Sequence, residues 1–485
     1  MLKSKFLDIV KTFTPEELKG FRNFVRSPFH NSNKNVIKVT DIVSKHYPDL
    51  SHTRLEKENI FKKIYPGKKY NDAVMRIILS DLLQLSEEFL MITNLTNDPV
   101  KGKKLLLNEL NKRNLHTLFK RQSKIAEDML AQDGLIDMFY FHEKFDVQTM
   151  KIDNMISQGR QPEIAGDALK QGEYLINFFL ISILNIAHEL RTHREVLNVD
   201  FDFNLVEKFL NSTELNKYFD YCRENNYEFY SILMIYYYMY LSMNDHENEE
   251  YLFKLKELVY KNLHLFKREE QFNLFVILES ICTSFAMIGS NKHNEYLMDI
   301  YEMMLAKNIY THTETDFFQL NLFRNMFYTA HKLKRFVWVE QFINEYIDKI
   351  LPKYREDVKH LAFAYIYFDK NEYDKALAEI TQVNYNYFVF KFDVRILTLK
   401  IYYQMGSYET ALSLIDSFSH FLMYNKSAES YRESFLIFLK FVRELIKFRS
   451  GSDKKEIGEI RKEINDTKIL LNKDWLLEKT EELDN

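Results

Sequence analysis

The residues best suited by type to carry chemistry are histidines beside carboxylates. The densest such run is His188-Glu189-Leu190-Arg191-Thr192-His193. A zinc-binding helix places two histidines four residues apart, because positions i and i+4 share one helix face, with a glutamate base between them. Here the histidines are five apart and point to different faces, so the run reads as a solvated helix end. His142-Glu143 and His246-Glu247 are isolated pairs with no further ligand at useful spacing. Pro66-Gly67-Lys68-Lys69 resembles part of a phosphate-cradling loop. It lacks the earlier glycine, the Ser or Thr after lysine and the preceding strand, and a helix-terminating turn accounts for it. No Gly-x-Gly-x-x-Gly, Gly-x-Ser-x-Gly or EF-hand pattern occurs. Cys222 and Cys282 lie far apart in helical patterns and read as buried small hydrophobes. The sequence therefore assigns no catalytic residue, no metal and no cofactor, and the chain reads as non-enzymatic.

Charge offers a different chemistry. The first 70 residues hold 15 Lys and Arg against 7 Asp and Glu, whereas the whole chain is −4, so the remainder is acidic. Lys57, Lys62, Lys63, Lys68 and Lys69 cluster near one turn and could meet an anionic partner such as nucleic-acid phosphates. The helix that follows counts against groove recognition. Val74, Ile77, Ile78, Leu79, Leu82, Leu83, Leu85, Phe89 and Leu90 fit a core, and most of its charges (Asp72, Asp81, Glu87 and Glu88 against Arg76) are acidic.

These residues must be positioned by helices. With 46% hydrophobic residues the chain can bury a large core, and 11 Gly and 7 Pro in 485 residues are too few turn formers for a β-rich protein. Thr14-Pro15-Glu16-Glu17 is a helix start, with Thr as N-cap and Pro in the first turn. Further helices are expected up to about His46, over Glu56–Ile64 and from Asn71 to Ile92, and Asn97-Asp98-Pro99 closes this first region. Segments centred near Leu107, Lys124 and Phe145 follow, separated by Asn114 and by Asp133-Gly134. From about Gln171 the pattern becomes helix pairs, whose first members begin near Glu173, Tyr227, Glu270, Asp316, Val358 and Val394. The longest uncharged run, Phe229 to Asn244, is shorter than a bilayer-spanning helix of roughly 20 residues and reads as buried. Without a signal-peptide core at the N-terminus, the expected setting is cytoplasmic and reducing.

The clearest architecture is a repeat at an offset of 35. Ile366/Ile401, Tyr367/Tyr402, Tyr373/Tyr408, Ala376/Ala411, Leu377/Leu412 and Ile380/Ile415 are identical pairs. Asn371 and Gly406 hold the turn position, where both types tolerate a left-handed backbone. Tyr373, Leu377 and Ile380 form one helical stripe, and the alanine lets two helix axes approach. Phe336-x-x-Val339-x-x-x-Ile343 is a weaker copy of the second helix.

This pattern resembles the tetratricopeptide repeat, over about residues 358–422. His360 and Arg395 stand where that family prefers a large apolar residue. The resemblance implies an all-α stack of antiparallel helix pairs and carries no activity with it. The expected organisation is a basic N-terminal helical domain (1–97), a helical bridge or first hairpins (98–170), a tetratricopeptide-like α-solenoid (171–449) and a C-terminal helical cap (450–485) whose last helix spans Lys473–Leu483. The expected function is a scaffold for a protein or peptide partner. The alternative is a bacterial regulator that binds nucleic acid through the basic domain, with the solenoid as sensor or dimerisation module.

Overall fold

The computed structural model describes residues 4–484, apart from 51–52, 133–134, 138, 198, 200, 246–247, 289–290, 385–387, 426–431, 452–455 and 468–469. His246-Glu247, the Asp133-Gly134 break and Ser452-Asp453 lie outside the described residues. Among the described residues the chain is all-α, with 24 α-helices and no strand. It divides into two compact units. One comprises Met1–Asp133 and Glu143–Gln171, the other Gly134–His142 and Gly172–Asn485.

The first unit opens with α1 (Lys5–Val10), α2 (Pro15–Arg26), α3 (Lys34–Ser44), α4 (Lys57–Ile64) and α5 (Asp72–Asn97). The start of α2 is a reciprocal cap. The Glu17 amide donates to the Thr14 hydroxyl at 3.1 Å, and the Thr14 amide donates to the Glu17 carboxylate at 2.7 Å. Leu18, Phe21 and Val25 of α2 are buried against α5, which contributes Met75, Ile78, Leu82, Leu85 and Phe89. At their crossing a Cβ on Gly20 would stand 3.2 Å from the Phe89 ring, so the glycine sets the close approach. Phe89 meets Phe13, Phe21 and Phe24 with ring centroids 5.5–5.7 Å apart.

Helix α5 extends past the expected Ile92 to Asn97. Asp98 ends it and also caps α6 (Pro99–Lys112), accepting from the Lys101 amide at 3.1 Å. Helix α7 is His116–Gln132. Helix α8 (Tyr140–Ser157) begins in the second unit and enters the first. Lys104 of α6 is paired with Glu143 at 2.6 Å and Asp146 at 2.7 Å of α8.

The second unit is a succession of helix pairs. After α9 (Ala165–Leu197), which begins in the first unit, come α10 (Leu205–Ser212), α11 (Leu215–Glu224), α12 (Tyr230–Asn244), α13 (Glu249–Asn262), α14 (Arg268–Ile288) and α15 (Asn291–Ala306). Then follow α16 (Leu320–Lys332), α17 (Phe336–Tyr346), α18 (Arg355–Asp369), α19 (Tyr373–Ile380), α20 (Phe388–Gln404) and α21 (Tyr408–Tyr424). The chain closes with α22 (Arg432–Arg449), α23 (Ile457–Asp466) and α24 (Lys473–Asp484). Each first member from α12 to α20 packs on its own partner. First members also touch one another, α12 on α14, α16 on α18 and α18 on α20, and each second member from α13 to α21 meets the next first member. That is the contact pattern of helical-repeat packing. The first members begin close to the expected positions. The exception is α9, which starts at Ala165 and contains Gly166 and Gly172.

One turn recurs along the chain. Asn371 (φ 58°) and Gly406 (φ 72°) are left-handed, and the amide one residue on bonds back to the Tyr367 or Tyr402 carbonyl at 2.9 Å. Asn114, Asn226, Asn308 and Lys334 have φ of 51–57° and the same return bond, from Leu115 to Leu110, Tyr227 to Cys222, Ile309 to Met304 and Arg335 to Ala330. Asparagine accepts this backbone because its short polar side chain can bond locally. At Asn371 the carboxamide oxygen accepts from the Tyr373 hydroxyl at 2.6 Å.

Candidate functional site

Ala376 and Ala411 are fully buried at their helix crossings, and Ile380 and Ile415 are buried beside them. Tyr367, Tyr373, Leu377, Tyr402, Tyr408 and Leu412 are half-buried at the edges of the same cores. These ten residues hold pairs together and offer no site. His360 and Arg395, out of place by apolar preference, are accommodated locally. His360 Nδ1 lies 2.6 Å from a Glu379 carboxylate oxygen, and the Arg395 guanidinium stands 4.2 Å from the Phe421 ring centroid.

His188 and His193 both lie on α9, and the neighbouring Arg191 lines a cleft of about 60 Å³ with Arg194, Asn204, Glu207, Tyr240 and Asn244. Its polar groups pair internally. Arg191 donates to Asn244 at 3.0 Å, and Arg194 lies 3.5 Å from Glu207. Among the described residues no three His, Cys, Asp or Glu side chains come together as metal ligands, and no helix is long and apolar enough to cross a membrane.

The basic cluster sits on α4 and the turn after it. Lys57 is engaged by Asp72 at 3.3 Å. The Tyr70 hydroxyl also donates to Asp72, at 2.7 Å, and these bonds hold the Asp72 carboxyl down at about 2. Lys62, Lys63, Lys68 and Lys69 are exposed, Lys68 with its ammonium 5.4 Å from the Tyr65 ring centroid.

A second set of charged side chains appears on the first members of the pairs, where the sequence drew no attention. Arg324, Tyr328 and Lys332 recur every four residues along one face of α16. Arg324 forms a two-point ion pair with Asp393 of α20 through Nε and Nη2. Its other amino group donates to Asn325 at 3.1 Å. Asn325 donates to Glu279 of α14 at 3.0 Å, and the Tyr301 hydroxyl donates to the same Glu279 at 2.9 Å. Burial pushes the Glu279 carboxyl up, against these bonds.

On α18, Tyr365 and Asp369 continue the seam. Asp369 lies 2.7 Å from His331, whose ring stands 4.7 Å from that of Tyr365. The Tyr328 ring is flanked by two cations, Arg324 at 5.3 Å and Lys332 at 5.0 Å. On α20, Lys400 is 9% exposed and donates to Asn472 at 2.7 Å. Burial brings its ammonium down to about 7. Lys332 is open to water, yet burial, followed by the charge of Arg324, holds it below the usual lysine range.

The seam gathers Arg324, His331, Lys332, Asp369, Asp393 and Lys400 from three successive first members. The ion pairs join Arg324 to Asp393 and His331 to Asp369, while Lys400 bonds the neutral Asn472 and Lys332 stands by the Tyr328 ring. Lys332 is exposed beside the half-buried Tyr328, whereas Tyr365 and Lys400 are buried, so the Tyr328–Lys332 edge is the part of the seam that can meet a carboxylate or stack against a side chain. It holds no nucleophile–base pair at bonding distance with a third group to orient the base.

The class so defined is an all-α protein of many packed helix pairs with a charged seam on its first members. No protein family, curated protein or solved structure matches this chain.

Proposed function

We propose that the chain is a non-enzymatic, tetratricopeptide-like interaction protein of the cytoplasm that binds a protein or peptide partner on the seam of its first-member helices. The observation that carries this role is the row Arg324, Tyr328, Lys332 on α16, continued by Tyr365 and Asp369 on α18 and Lys400 on α20. A face serving only to pack pairs together is ordinarily apolar, because even a paired charge beside a core is costly to desolvate. The offset-35 repeat and the recurrent left-handed cap support the tetratricopeptide-like assignment. The test is a tagged pull-down from native cells, with and without nuclease, read by mass spectrometry for the wild type and for Lys332→Glu. A discrete partner that survives nuclease and is lost with the variant is expected. Recovery of the same proteins by both chains would refute the role of the seam.

The alternative role, nucleic-acid binding through residues 1–97, draws on one observation: Lys62, Lys63, Lys68 and Lys69 are exposed together around one turn. It predicts duplex binding that weakens with salt and is lost on charge reversal of these four lysines. Against it, Met75, Ile78, Leu82 and Leu85 of the following helix are buried in the core of the first unit.

A further inference from the structure

We draw no further inference here: the strongest candidate, the run of exposed apolar side chains Leu175, Ile176, Phe179 and Ile186 along α9, is a surface patch for which nothing in the structure shows what covers it.

Discussion

Arg324 and Asp393 face each other from helices two pairs apart, α16 and α20, and pair through two nitrogens and both carboxylate oxygens. Asp393 is almost wholly buried and Arg324 is 20% exposed. Removing one partner strands a buried charge, whereas replacing both with apolar groups does not. Asp393→Ala is expected to cost ~3 kcal/mol of unfolding free energy, and Arg324→Met with Asp393→Leu to recover most of it. Urea unfolding of the wild type, Asp393→Ala and the double variant measures this. A single variant as stable as the wild type would show that the pair contributes nothing.

Lys400 links stability to pH. Its ordinary pKa is 10.5, and burial brings it to about 7 in the folded chain. Between those values the unfolded chain holds a proton that the folded chain lacks, so stability rises with pH across the window. Below it both states are protonated, and the full cost of the buried charge applies. Lys400→Met should therefore stabilise the protein near neutral pH and flatten the rise up to about pH 10. Unfolding midpoints for both chains along that range provide the check, and parallel curves would count against it.

The helix crossings are tight at both alanines of the offset-35 repeat. Ala376→Trp and Ala411→Trp should each cost on the order of 1–3 kcal/mol by overpacking. Thermal unfolding measures the loss. Two neutral variants would mean that these positions do not hold the crossings.

Lys334 occupies a left-handed cap (φ 56°) that elsewhere falls to asparagine or glycine. Lys334→Gly should raise stability by ~1 kcal/mol, since glycine carries no steric penalty there. Asn371→Val at the equivalent cap should lower it by ~1–2 kcal/mol. A drop in melting temperature for Lys334→Gly would argue against the cap account.

Much of the fold could be read from the residues, because α18 to α21 combine two local signals, a left-handed turn residue and a buried alanine at fixed spacing. Elsewhere the same turn is made by Asn114, Asn226, Asn308 and Lys334 with different packing residues around it, so identity at one offset does not reveal it. An asparagine placed one residue past a helical stripe was the available signal. The site was far less legible. Arg324 and Asp393 lie 69 residues apart, and a charge that ends up buried looks in sequence like one facing water. Lys400 stands between the buried Leu399 and Ile401 and reads as an ordinary polar interruption. The lysines around Pro66-Gly67 attracted notice because they are adjacent in the chain, whereas the seam is assembled from three helices.

The short stretch Gly134–His142 belongs to the second unit although both its neighbours in the chain belong to the first. Its Ile136 amide donates to Leu265 at 2.6 Å, the Lys267 amide donates back to Ile136 at 3.0 Å, and Lys267 pairs with Asp137 across 130 residues of chain. On a ribosome, Ile136 emerges well before any of these partners exist. At roughly 5–20 residues per second the wait is on the order of ten seconds. The first unit can compact during that interval while this stretch stays unsatisfied. Birth order thus leaves the second unit one unfinished place at its start, filled only when α14 begins to appear.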